Sequence, residues 1–154
     1  MKKKLMTLLF AAGVALNSWA FIDSYTIKRE QLPETAQEML QEHFPKAKVS
    51  NIKIDRHLLK KTDYDVKLTD GTVIEFSSSG KWTSVQRKRK AVPEALIPKS
   101  IRKYMANKHS DSKVTGLTKK PTFYFIDIDD GRRLKFNLTG QFKGFVDSSE
   151  ADNE

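Results

Sequence analysis

The 154-residue chain contains no cysteine. That excludes disulfide staples and thiolate metal sites, and it removes the residue that a bacterial lipoprotein needs for acylation. Histidine is scarce too: His43, His57 and His109 are the only three, and none is spaced with a second ligand or base as a zinc or general-base motif requires. There is no Gly-rich phosphate loop. The uncharged apolar run from Leu5 to Leu16 is too short for a comfortable bilayer crossing, which takes roughly 18–20 apolar residues. Stability must therefore come from a packed core alone.

What the N-terminus does hold is Met1-Lys2-Lys3-Lys4, then that apolar run, then Asn17-Ser18-Trp19-Ala20. This is the order of a basic n-region, an apolar h-region and a small-residue cleavage site. The reading is a signal peptide over 1–20, cleaved near Ala20, a lead segment over 21–31, and a mature protein outside the inner membrane with no membrane span. The formal charge is +9; without the three leader lysines it is +6. Acids alternate with bases through most of the mature chain, and only Arg87-Lys88-Arg89-Lys90 is a dense basic run. A solvated linker explains that run better than nucleic-acid binding does, since the compartment offers no nucleic acid.

The mature sequence is written twice. One copy runs from about Leu32 to Gln86 and the next from about Ile97 to Val146. Leu32-Pro33 matches Ile97-Pro98, and Lys48-Val49 matches Lys113-Val114. Asp70-Gly71, Phe76, Gly80 and Trp82 match Asp130-Gly131, Phe136, Gly140 and Phe142. The offset falls from 65 to 60 between Val49 and Asp70, which places a loop of variable length near Arg56 to Lys61. With their linkers the repeats span 32–90 and 91–147, followed by an acidic tail over 148–154.

Each repeat opens with an amphipathic helix. Ala36, Met39, Leu40 and Phe44 recur at helical spacing until Pro45, and Ile101, Tyr104 and Met105 do so in the second repeat. The period then changes to two, as in Tyr64-Val66-Leu68 alternating with Asp63, Asp65 and Lys67, which predicts half-buried strands. Asp70-Gly71 and Asp130-Gly131 predict hairpins of type I′, Gly80 and Gly140 mark the next turns, and Trp82 and Phe142 open last strands. Ile74 and Phe76 are expected to face the core, as are Leu134, Phe136 and Leu138. One repeat of about 55 residues would be marginal alone, since domains near that size bury only about 60% of their unfolded surface. The expected fold is thus α+β: two tandem repeats, each a helix plus four antiparallel strands, forming one continuous sheet with both helices on one face.

No constellation of residues points to catalysis. Asp127-Ile128-Asp129-Asp130-Gly131 has the carboxylates for calcium, but its acids alternate along a strand and no Glu follows at EF-hand spacing. Asp63 and Asp65 form a carboxylate pair that a hydrolase could use, yet a solvent-facing pair gains little of the required pKa separation. Ser77-Ser78-Ser79-Gly80 reads as a turn. One segment exceeds a structural minimum: Phe123-Tyr124-Phe125-Ile126 is apolar on both faces of its strand. Phe123 and Phe125 fall on the outer face, where Arg133 and Lys135 should stand beside them across the hairpin. Aromatic and basic residues together on an open face have the composition of a protein-binding surface. The competing expectation is that the 21–28 segment or the tail covers them.

The doublet Leu32-Pro33, Phe44-Pro45, Val49, Tyr64-x-Val66-x-Leu68-x-Asp70-Gly71, Ile74-x-Phe76 and Gly80-x-Trp82, repeated from Ile97-Pro98 to Phe142, resembles the PepSY-like family of β-lactamase-inhibitor-like exported proteins. The resemblance covers most of the mature chain. It implies a tandem helix-plus-sheet protein similar to β-lactamase inhibitory protein, in which a sheet face binds the partner enzyme. It carries over no individual inhibitory residue, and the second repeat departs from it where Phe44-Pro45 becomes His109-Ser110. The function expected is a non-enzymatic exported binding module, an inhibitor or modulator of an envelope or secreted protein. Its partner site is Phe123, Phe125, Arg133 and Lys135, and no cofactor or metal is expected. A calcium-dependent sensor or adhesion module and a carboxylate-based hydrolase are the alternatives.

Overall fold

The computed structural model describes residues 23–56 and 62–147. The expected leader, its cleavage site, His57 with most of the variable loop, and the acidic tail lie outside these residues. Nine strands form one antiparallel meander whose spatial order is the chain order. They are β1 Ser24–Thr26, β2 Val49–Asp55, β3 Asp63–Leu68, β4 Val73–Phe76, β5 Trp82–Gln86, β6 Val114–Lys119, β7 Phe123–Ile128, β8 Arg133–Asn137 and β9 Phe142–Val146. Helix α1, Glu34–His43, lies between β1 and β2, and α2, Lys99–Lys108, lies between β5 and β6.

The sequence doublet is a structural doublet. A 3-10 turn precedes each helix, at Arg29–Gln31 and Glu94–Leu96. Pro33 and Pro98 stand at the two helix N-caps with φ near −53°, where a missing N–H costs no intrahelical bond. Register shifts recur at matched places, between Val49 and Asn51 as between Val114 and Gly116, and between Glu75 and Phe76 as between Lys135 and Phe136. The strand that seams the repeats is β5, whose Ser84, Val85 and Gln86 pair with Thr118, Leu117 and Gly116 of β6. At the far end β1 borders β2, pairing Tyr25 with Lys53.

The Asp-Gly hairpins differ from the type I′ expectation. Gly71 has φ +84° and Gly131 +89°, but no non-glycine among the described residues has positive φ, whereas type I′ needs it at both central positions. The loop holds three residues instead. Leu68 N–H donates to the Thr72 carbonyl at 2.8 Å, and Gly71 N–H donates to the Leu68 carbonyl at 3.0 Å. Asp70 Oδ1 accepts the Thr72 N–H. A type I turn closed by a left-handed glycine fits this pattern, and Ile128–Arg132, Ser77–Lys81 and Asn137–Gln141 repeat it. Gly80 and Gly140, also left-handed, have a second constraint: a Cβ on Gly80 would meet Pro33 Cβ at 2.8 Å, and one on Gly140 would meet Ser100 Oγ. Those turns abut the helix N-termini.

Ala36, Met39, Leu40 and Phe44 join Ile101, Met105, Val66, Ile74, Phe76, Ile126, Leu134 and Phe136 in one buried cluster. Tyr104 stacks on Phe142 at 5.1 Å and meets Phe136 edge-on at 5.2 Å. Leu138 departs from expectation. Strand β8 ends at Asn137, so Leu138 falls in the turn and is half exposed. No described helix is long and apolar enough to cross a membrane.

Candidate functional site

On the face that alternates with the core, strand register brings residues from all nine strands into one transverse row. It reads Tyr25, Lys53, Asp65, Glu75, Ser84, Thr118, Phe125, Lys135 and Gly144, each directly opposite the next. The row changes character at the seam between repeats. Asp65 and Glu75 stand on one side of it, with Lys53 paired to Asp23 and Asp55 beyond them; Phe125 and Lys135 stand on the other, and the Ser84 and Thr118 hydroxyls meet at 3.3 Å between them.

The second half is the site expected from the sequence. Phe125 pairs with Lys135, Phe123 with Asn137 and Asp127 with Arg133, so the four expected residues do share one face. Their exposure differs from an open aromatic patch. Phe125 is only 1% exposed, although it lies outside the main core cluster. The Phe123 ring stands 4.8 Å from it, the Arg133 guanidinium 5.5 Å and the Lys135 ammonium 5.9 Å. Lys135 also lies 4.3 Å above the half-buried Phe123 ring. Long cationic side chains thus lie along the rings with their stems as cover. Strand β1 does not cover this patch, because it borders the opposite end of the sheet. The surface offered is cationic over aromatic.

The Asp127 to Asp130 segment is committed to hydrogen bonds. Arg133 donates to both carboxylate oxygens of Asp127, and Gln86 Nε2 donates to Asp127 Oδ2 at 3.0 Å. Asp129 Oδ1 accepts the Lys113 N–H, and Asp130 accepts both the backbone N–H and Nε of Arg132. The Gln86 and Asp127 side chains meet over Gly116, where an added Cβ would stand 2.3 Å from Gln86 Oε1. Three acids near in sequence therefore serve three separate structural ends. Among the described residues no group of His, Cys, Asp or Glu is arranged to hold a metal.

The acidic half is the feature that sequence reasoning did not assemble. Lys53 Nζ lies 3.2 Å from both Asp23 and Asp55, and these hydrogen bonds push its pKa up to about 12. Asp65, opposite Lys53 on one side and Glu75 on the other, has a raised pKa. Burial is the main cause, Lys53 opposes it, and Asp55 and Asp63 add to it. Glu75 is raised too, chiefly by burial and then by Asp65, with Lys120 pulling the other way. The expectation of an unperturbed Asp63 and Asp65 pair is corrected for Asp65: neighbouring side chains desolvate a carboxyl that the strand pattern places outward. Cross-strand register would have revealed the row, but register depends on the bulges, which no residue pattern marks.

The basic run also needs correction. Arg87 is part of the fold: it pairs with Asp70 at 3.0 Å, donates to the Ala91 carbonyl and lies 5.5 Å over the Phe44 ring. Lys88 to Lys90 are exposed, as a solvated linker requires. His43 ends α1 and His109 caps α2.

The profile of the family described as "Putative beta-lactamase-inhibitor-like, PepSY-like" matches residues 16–61 and 62–144. A crystal structure from Bacteroides vulgatus, of a "putative periplasmic protein of unknown function", is 36% identical. It superposes with a TM-score of 0.78 over 81% of this chain and 99% of that one. A second, from Bacteroides thetaiotaomicron, of a "putative calcium-regulated periplasmic protein", is 30% identical with a TM-score of 0.76, over 81% of this chain and 97% of that one. No curated protein matches the chain.

Proposed function

Because the chain belongs to the PepSY-like family, whose solved relatives are described as periplasmic, we propose that it is an exported, non-enzymatic binding protein whose outer sheet face engages an envelope or secreted protein. The observation that carries this reading is the transverse row, acidic through Asp65 and Glu75 and, past the seam, aromatic at Phe125 and cationic at Lys135. A face with two fields of opposite sign selects a partner by orientation as well as by charge. We infer further that both helices lie on the opposite face, since Leu40 and Ile101 share one buried cluster with the inward residues of both halves. That leaves no helix over the row, in the manner of β-lactamase inhibitory protein, although Phe125 and Ser84 within it are buried by neighbouring side chains.

The contacting groups on the basic half are Lys135 and Phe123, with Arg133 positioned by Asp127, while Phe125 supports them from beneath. Catalysis finds little support: Asp65 and Glu75 are perturbed, yet Asp65 faces Lys53 and Glu75 faces Ser84 across paired strands, with no histidine among these partners. Calcium regulation is a description of the Bacteroides thetaiotaomicron protein. In this chain the Asp127 to Asp130 carboxylates are occupied by Arg133, Gln86, Lys113 and Arg132, which favours the binding reading over the calcium one.

Affinity capture from envelope extract with the protein from Phe21 tests the proposal. Lys135→Glu with Phe123→Ser is expected to reduce partner capture at least tenfold while leaving the melting temperature within a few degrees, and captured material should fall off in high salt. Capture that survives both changes would remove this face from consideration. Phe125→Ser is unsuitable as a probe of contact, since losing a buried phenyl ring costs about 3–5 kcal/mol of stability.

A further inference from the structure

The repeats differ in the groups that line one matched corner, between the helix and the 3-10 turn before it. In the first repeat, the buried Phe44 ring ends α1. Arg29, from the preceding 3-10 turn, reaches across to donate to the Ala47 carbonyl at 2.8 Å. Gln41 and Pro45 stand exposed beside it. The matching positions of the second repeat, at an offset of 65, are His109, Glu94, Ala106 and Ser110. The strap is lost because a carboxylate cannot donate to the Ser112 carbonyl. The ring is smaller, the long amide is reduced to a methyl group, and the proline is gone.

A cavity of about 410 Å³ lies at this corner. Val92, Ile97, Met105 and Val114 are its apolar walls, and all four are buried. Arg102, His109 and Lys113 stand around it with Glu94 as the one carboxylate. Arg102, Met105 and His109 are three and four residues apart, so α2 presents them along one line. Neither Arg102 nor Lys113 forms an ion pair among the described residues. The volume lies within the range of small-molecule pockets, which combine apolar walls with a few convergent polar groups.

We propose that this corner of the second repeat binds a small amphiphile with a single anionic head, its apolar body against Val92, Ile97 and Met105 and its head between Arg102 and Lys113. Two lone cations and an imidazole against one carboxylate favour an anion over a cation or a neutral ligand. Apolar walls without an aromatic floor favour an alkyl body over a stacked ring. The site is separate from the outer sheet face, so the two readings stand or fall independently.

Sodium decanoate titrated into the mature protein is the probe, followed by backbone amide shifts in NMR. Saturable shifts confined to Ala91–Val92, the last turn of α2 and Ser112–Val114 are expected. Ala106→Gln with His109→Phe, which restores the first repeat's larger groups, should weaken binding at least tenfold with an unchanged or higher melting temperature. Arg102→Glu with Lys113→Glu should weaken decanoate while leaving decanol unaffected. Shifts centred on Phe123 and Lys135, or decanoate binding that the filled variant retains, would overturn the proposal. Phosphatidylglycerol vesicles provide a further arm: co-sedimentation that the filled variant loses would place the apolar body in a membrane and overturn the reading of a free ligand.

Discussion

Gly116 shows how much can depend on the absence of one carbon. It lies on β6 at the seam, and a Cβ there would occupy the space in which Gln86 and Asp127 meet. Gly116→Ala is expected to break that contact and loosen the Arg133 carboxylate pair behind it. A hydrogen bond to a charged group contributes about 1.5–3 kcal/mol, so a loss of about 2 kcal/mol in urea unfolding should follow, with no change in the slope of the transition. Two carboxyls titrate in opposite senses. Burial would raise Asp70, but hydrogen bonds from Thr72 and Arg87 outweigh it and bring its pKa down to about 2. A depressed carboxyl gives stability that is present above its unfolded value near 4 and is lost as pH falls towards 2. Asp70→Asn should therefore cost about 1 kcal/mol at pH 7, after solvent screening, with the cost shrinking as pH falls through the folded value near 2. Asp65 is raised, so the folded state holds its proton longer than the unfolded chain does, and stability drops as pH climbs through the folded value. Asp65→Asn is expected to raise the melting temperature at pH 7 and leave it unchanged at pH 3. Thermal melts at the two pH values, read for both variants, check the signs.

At the scale of elements, strand β1 has the most exposed consequence. It pairs only three residues, Ser24 to Thr26, with Ile54 to Ile52, yet it covers the edge of β2, and an uncovered edge is a template for another chain. A protein beginning at Arg29 should fold, because the buried cluster begins at Leu32, but should show concentration-dependent association in sedimentation that the protein from Phe21 lacks. Both helices, eight of the nine strands and the repeat itself were legible in the sequence, because period and matched landmarks are local signals. Strand β1 was not, since Ser24-Tyr25-Thr26 alternates over too few residues to stand out from a lead segment. Leu138 was placed inward because alternation was extended one step past the end of β8. The hairpin type was missed because Asp-Gly supplies the left-handed glycine of either turn, and only the loop length separates them. Of the candidate site, the shared face of Phe123, Phe125, Arg133 and Lys135 was legible from alternation and pairing. The burial of Phe125 was not, since it arises from side chains of neighbouring strands folding over the ring.

Across the whole molecule the two repeats have the same frame and different surfaces. Four of their hairpin turns share one pattern of bonds, and their bulges fall at matched strand positions. Positions free of those duties have drifted apart: Asp63 and Asp65 stand where Phe123 and Phe125 stand, and Phe44 where His109 stands. The acidic half, the basic half and the cavity all come from such positions. Sheet and helices supply the frame, and the contrast between copies supplies the two unlike halves of the outer face.

The β5–β6 seam has a consequence for how such a chain can grow. Val85 of β5 is fully buried against Leu117, whereas Phe145, its counterpart on β9, is more than half exposed. Among the described residues β9 is an edge of the sheet, with the same kind of junction that the fifth strand uses to accept a neighbour. A further repeat placed after β9 would meet an unpaired strand edge and a half-exposed Phe145 to cover, as β6 covers Val85.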